Sequence, residues 1–292
     1  MLAMNGRVLL WLNLLALPAA GAPLLSIDFN HRTNNPTLFT QAGFTSFVIN
    51  SNTSPTSPQT NATMRTIGTN RVTLTGNGRN RGYTDRSHPL PTNQGTFSES
   101  LLLRDGVFSP DETTNGGLNL LVENLPVSNR VQVTIWSFDS LALPFPTSDW
   151  YANGIRVRGA YQFTNTVLPV SNEQYRFSFT CTVDGAGQLT IQGRRNDLSK
   201  TPNGIDVPGV FLNALRIDPE PLEIVAIQPS GNELRLTFVV WPQPGDYVVE
   251  GNAGTQWQAV SGVTYSAPTN NRVVARFARP NGTRMYRVRY AY

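Results

Sequence analysis

Two short stretches carry the residue types that can do recognition chemistry: Trp136 with Asp139, and Asp149, Trp150, Tyr151 and Asn153 inside the polar segment 147–153. A pyranose ring presents a C–H face that packs on an aromatic side chain, and its hydroxyls pair with planar polar groups placed beside that ring. These six residues are therefore the candidate ligand-binding set, with 147–153 expected as a loop. Asp139 and Asp149 are also the carboxylate pair that a glycosidase or lyase would need.

Other chemistries find less. Two histidines, His31 and His88, are too few for a His-rich metal centre, and no residue set is assigned to a metal. Asp85, Arg86, Ser87 and His88 contain the types of a catalytic triad, but as neighbours in a flexible loop they lack the oriented chain that activates a nucleophile. There is no Gly-x-Ser-x-Gly elbow and no phosphate-cradling glycine loop ahead of a helix. The one cysteine, Cys181, excludes an intramolecular disulfide. It falls in the alternation Tyr175, Phe177, Phe179, Cys181, Val183, where it serves as a small buried hydrophobe.

The elements that must position these residues are strands. Period-2 alternation marks 118–122, 131–135, 175–183 and 189–192, and shorter runs mark 25–29, 44–49, 71–74, 155–158, 161–163 and 211–217. The turn at residues 184–187 joins two of them. The helix candidates are short and lie near 98–105. Strands about ten residues apart, with turn residues between, predict a sandwich. The Asp218 to Pro221 stretch, with two prolines, marks a boundary. Beyond it come six further runs, at 222–227, 234–240, 247–250, 257–260, 272–277 and 285–290. The expected architecture is all-β: a jelly-roll-like antiparallel β-sandwich followed by a smaller β-sandwich-like domain.

Composition bounds the partners. Charged residues are 14% of the chain, against about 25% in an average soluble domain, the place being taken by turn-forming Thr, Asn, Ser, Gly and Pro. The balance of 23 Lys and Arg against 19 Asp and Glu gives +4, too slight to argue for nucleic acid. Every basic residue except Lys200 is arginine. Arg65, Arg71, Arg79, Arg81 and Arg86 cluster in a loop-rich stretch. Arg272, Arg276, Arg279, Arg284, Arg287 and Arg289 form a second group, expected as a solvated strand face, with an acidic glycan or lipopolysaccharide as the alternative partner. At the N-terminus, Arg7 precedes an apolar run over 8–17, which is half the roughly 20 residues a spanning helix needs. Pro18 and the small residues 19–22 follow it, the pattern of a removable signal peptide over 1–21 and of a secreted, periplasmic or cell-surface protein. No membrane span is expected.

The strings from Trp136 to Asp139, Trp150 to Gly154, Tyr175 to Phe179, Gly193 to Arg195 and Phe211 to Ile217 resemble galactose-binding-like β-sandwich (jelly-roll) modules of secreted bacterial proteins. The resemblance covers 22–218. Residues 219–292, with Trp241 to Tyr247, Trp257 and Tyr286 to Arg289, resemble a small fibronectin-type-III-like domain. The resemblance implies carbohydrate or cell-envelope polymer binding more than catalysis, and no cofactor is expected. The resemblance also raises a structural calcium to which Asp28 and Asp218 could contribute, but no acidic loop with a ligand spacing accompanies them and no metal site is named. Three readings follow. A binding module exposes Trp136, Trp150 and Tyr151 together in one groove; a polysaccharide-acting enzyme brings Asp139 and Asp149 together in a cleft; a structural or adhesive protein buries all three rings. Oligomeric state is not legible.

Overall fold

The computed structural model describes residues 23–49, 60–79, 82–127, 130–220, 222, 224–240, 247–252, 257–270, 272–279 and 285–290. The expected signal peptide at 1–21 and the Trp241 to Asp246 part of the C-terminal resemblance lie outside them. The chain divides into two compact units, one of residues 22–220 and one containing residues 221–292.

In chain order the larger unit contains β1 (Leu25–Asn30), α1 (Pro36–Phe39), β2 (Thr45–Val48), β3 (Thr63–Ile67), β4 (Asn70–Asn77), β5 (Thr84–Ser87), α2 (Ser100–Arg104) and β6 (Asp105–Phe108). It continues with β7 (Gly117–Glu123), β8 (Arg130–Trp136), β9 (Thr147–Ala152), β10 (Ile155–Gln162), β11 (Arg176–Thr182), β12 (Leu189–Arg195), β13 (Phe211–Leu212) and β14 (Ala214–Pro219). These form a five-stranded sheet in the order β11-β8-β14-β1-β2, a six-stranded sheet β10-β9-β12-β7-β4-β3 and a three-stranded sheet β13-β6-β5. The chain is all-β, and among the described residues its strand pairs are antiparallel apart from β1 with β2.

Alternation builds the core. Successive side chains of a strand point to opposite faces. Val72 and Leu74 of β4, Leu118, Leu120 and Val122 of β7, and Leu189 and Ile191 of β12 turn one face of the six-stranded sheet inward. Val131, Val133 and Ile135 of β8, with Leu215 and Ile217 of β14 and Leu25, Ile27 and Phe29 of β1, supply the five-stranded sheet's share of the same cluster. Cys181 packs partly buried against this cluster, and burial pushes its thiol up to about 11.

Strand β1 is buried on both faces, because residues 31–41 fold over its polar side. Three carboxylates hold that segment. Asp28 accepts from the Gln41 N–H at 2.8 Å, Asp105 from the His31 N–H at 3.0 Å and Asn34 Nδ2 at 2.9 Å, and Asp85 from the Arg32 N–H at 2.7 Å and from its guanidinium.

Residues 147–153 are not a loop but contain β9, paired to β10 on one side and β12 on the other. Its inward positions are Ser148, Trp150 and Ala152, and the small polar Ser148 hides the alternation from an apolar count. Residues 84–87, expected as flexible loop, are β5, and the end of the expected helix is β6. The runs 155–158 and 161–163 are one strand, β10, broken in register by two bulges.

The smaller unit contains β15 (Ile224–Ser230), β16 (Glu233–Val239), β17 (Tyr247–Asn252), β18 (Trp257–Ala259), β19 (Thr264–Tyr265), β20 (Arg272–Ala278) and β21 (Met285–Tyr290). A four-stranded sheet β15-β16-β20-β19 and a three-stranded sheet β18-β17-β21 share a core of Leu234, Leu236, Phe238, Val249, Val273 and Phe277. Arg287, expected on a solvated face, instead donates to the buried Glu250 at 2.5 Å and lies 4.5 Å over the Trp257 ring.

Candidate functional site

The pleat of β9 divides the candidate set. Trp150 points inward and is 1% exposed; its Nε1 donates to Ser148 Oγ at 3.0 Å and its ring centroid lies 5.8 Å from that of Phe177. Trp136, on β8 of the other sheet, is 3% exposed and donates Nε1 to Glu99 at 3.0 Å. The expected groove of three exposed rings is therefore not formed, since two of them are core side chains whose N–H groups are satisfied internally. Tyr151, one residue on from Trp150, faces the other way and is half-buried.

Asp149 on the outward side of β9 and Asn153 just beyond its end both hold the chain in place. Asp149 accepts from the Ala160 N–H at 2.7 Å and from Asn196 Nδ2 at 3.0 Å, which fixes the bulged return of β10. Asn153 and Gly154 form the two-residue hairpin turn with φ of 46° and 79°, the positive-φ pair that Asn-Gly supplies. The Asn153 side chain accepts from the Thr190 N–H at 2.9 Å and donates to Thr182 O at 3.0 Å.

Around Tyr151 the register assembles a polar row that no local pattern announces. Tyr151 stands opposite Arg156 on β10 and Gln192 on β12; Gln192 stands opposite Asn119 on β7, and Asn119 opposite Thr75 on β4. Five strands at about 4.8 Å spacing make a row about 19 Å long. Arg194 lies along it, donating to Leu118 O at 3.0 Å, Gly193 O at 2.8 Å and Asn119 Oδ1 at 2.5 Å. Gln192 Nε2 reaches the same Asn119 oxygen at 3.4 Å. Those contacts hold two planar amides beside one aromatic ring on a rigid sheet. Gln192, Asn119 and Arg194 were missed in the sequence because each sits in a strand that its inward residues identify as core.

Asp139 belongs to a different place, the end of β8. It accepts from Arg86 Nη1 at 2.9 Å and the Leu141 N–H at 2.7 Å, and His88 Nε2 stands 3.5 Å away. The Arg86 guanidinium lies 4.4 Å over the Phe108 ring, which stacks on Phe211 at 5.3 Å. Together with Asn213 they line a recess with room for a single water-sized group. Burial lowers the His88 pKa against the opposing pull of Asp139, so the ring is neutral at pH 7. Arg86 and His88, two apart on an ordered strand and its continuation, are the signal in the string 85–88 that a loop assignment conceals. Asp149 does not line this recess and has its own partners, so Asp139 and Asp149 do not converge.

The calcium pair fails the same test. Register places Asp28 opposite Ala214, four residues from Asp218, a separation of about 13 Å along a strand. Asp218 is bound to Arg216 Nε at 2.9 Å. Asp28 is wholly buried with Oδ1 unpartnered, and burial, reinforced by Asp105, pushes its carboxyl up to about 8. A neutral carboxyl is a poor ligand for a hard cation. Among the described residues no group of three or more His, Cys, Asp or Glu is placed to hold a metal, and no helix is long and apolar enough to cross a membrane.

No family model matches the chain, and no curated protein does. Among solved structures it is similar to a family 35 carbohydrate binding module from Clostridium thermocellum, with 13% identity and a TM-score of 0.25 over 46% of this chain and 90% of that one. The CBM22-1-CBM22-2 tandem domain of Paenibacillus barcinonensis Xyn10C matches with 11% identity and a TM-score of 0.34 over 75% of this chain and 86% of that one. The ANX2 ectodomain from Arabidopsis thaliana matches with 12% identity and a TM-score of 0.34 over 47% of this chain, which spans 40% of the ectodomain.

Proposed function

We propose that the larger unit is a non-catalytic carbohydrate-binding module of an exported protein, and that it takes its ligand on the outward face of the six-stranded sheet at Tyr151. The observation that supports this reading is the row from Arg156 through Tyr151, Gln192 and Asn119 to Thr75. An aromatic ring there is flanked by planar hydrogen-bonding groups that the sheet holds in fixed positions. Preorganised side chains on strands bind without the ordering cost that loop residues incur. The row extends across five strands, which suits a polymer rather than a single sugar, and a cell-envelope polymer is within the same chemistry.

A glycan array probed with the whole chain and with Tyr151→Ala tests the reading. Retention of one glycan class, weakened at least about tenfold by Tyr151→Ala, is the expected result, as for loss of an aromatic contact of roughly 1.4 kcal/mol. Retention unaffected by that substitution would remove the site from this face. Trp150→Ala serves a different purpose, since it removes a core side chain and reports on folding.

A further inference from the structure

The face that carries Tyr151 contains a cation that the fold does not neutralise. Arg194 stands directly opposite Asp149 across β12 and β9, where a cross-strand ion pair would form. The pair is not made. Asp149 gives both carboxylate oxygens to Ala160 and Asn196, and Arg194 turns to two backbone carbonyls and the Asn119 amide. Its other cross-strand neighbour is Gly117, which has no charge. Burial draws the Arg194 pKa down, opposed by Tyr151, so the guanidinium stands half-desolvated with no carboxylate against it among the described residues.

Arg156 completes the pattern. It lies opposite Tyr151 on the other side, is exposed, and has no carboxylate partner among the described residues. Glu123, the other acid on this face, is taken by Arg71 at 2.5 Å, four residues along β7 from Asn119. A half-buried cation without a counter-ion costs free energy, and an arginine fork matches the two oxygens of a carboxylate. β10 and β12 are two strand spacings apart, about 10 Å, so the two guanidinium groups span more than one sugar ring.

We propose that the ligand of this face is a uronate-bearing polysaccharide, with Arg194 and Arg156 pairing its carboxylates on either side of the sugar that stacks on Tyr151. This rests on the carbohydrate-binding reading and names its substrate class. The charge on the ligand replaces the cross-strand partner that Asp149 does not provide.

The test is affinity electrophoresis of the full chain through polygalacturonate, alginate and glucuronoxylan, each beside its methyl-esterified form, at low and high salt. The acid form of at least one polymer is expected to bind about tenfold or more tightly than its ester and to weaken with salt, as a screened charge pair does. Arg194→Gln should abolish that difference. Arg156→Gln should reduce it several-fold, and because Arg156 is exposed it reports even if Arg194→Gln loosens the sheet. Equal binding of acid and ester, both lost in Tyr151→Ala, overturns the charge assignment and leaves the carbohydrate face standing. Failure of every polymer in both forms overturns the uronate assignment, and the glycan array then decides whether the carbohydrate reading falls with it.

Discussion

Gly193 of β12 and Trp150 of β9 face each other in register, and the indole lies so close that a Cβ on residue 193 would stand 3.2 Å from its ring and 2.4 Å from Val210 Cγ1. The inward side of the six-stranded sheet thus depends on a missing side chain. Gly193→Ala is expected to cost about 1–3 kcal/mol by overpacking. A urea midpoint unchanged from that of the native chain would show that Val210 and Trp150 can yield. Tyr151→Ala, one residue from Trp150 on the outward side, should move the midpoint far less.

Asn213 sits between β13 and β14 and is buried. It donates Nδ2 to Asp105 O at 2.8 Å and accepts the Phe138 N–H at Oδ1 at 2.7 Å, tying the three-stranded sheet to the end of β8. Asn213→Ala strands two buried backbone groups, at about 1–3 kcal/mol each. The check is calorimetry of the variant, expected to show a transition several degrees lower; a native transition would mean that water or repacking replaces the amide.

Asp28 makes stability depend on pH in an unusual direction. Its folded-state pKa of about 8 lies above the unfolded value of 3.8, so the folded chain holds a proton that the unfolded chain has released between those limits. Stability from this group is complete below pH 4, falls as pH rises, and levels off above about 8, with a slope approaching about 1.4 kcal/mol per pH unit. Asp105, also raised by burial, acts in the same sense. Denaturation curves of Asp28→Asn across this range should lose most of the slope; identical slopes in the two proteins would assign it elsewhere.

His88 works in the opposite sense. Its folded-state pKa is below the ordinary 6.5, so the unfolded chain takes up a proton more readily and stability present above pH 6.5 is lost as pH falls through the folded value. A proton NMR titration should place the His88 midpoint below 6.5, and Asp139→Asn should lower it further by removing the charge that favours the imidazolium. A midpoint above 6.5 would mean that Asp139 outweighs burial.

Much of the fold was legible because strands with apolar alternation announce themselves. β7, β8, β11 and β12 lie where periodicity predicts them, whereas the Asn153-Gly154 turn went unread although Asn-Gly is a local signature, because Asn153 was assigned to the ligand set. β9 was not legible, because its inward residues are Ser148, Trp150 and Ala152, and only two flanking strands show that they face a core.

The sequence by itself determined the all-β class, the positions of its strongly alternating strands and the residue types able to meet a sugar. Which face each of those residues takes was decided by tertiary structure. A one-residue step along β9 separates a core tryptophan from a half-exposed tyrosine, and the neighbours of that tyrosine, Arg156, Gln192 and Asn119, lie from 32 positions before it to 41 after it in the chain. Cross-strand register sets such neighbourhoods through backbone hydrogen bonds between distant segments. The same register separates Asp28 from Asp218 and sets Asp149 opposite Arg194, tertiary hydrogen bonds from Ala160 and Asn196 then take the Asp149 carboxylate, and the packing of distant segments gathers Arg86, His88 and Asp139, none of which local residue order can specify.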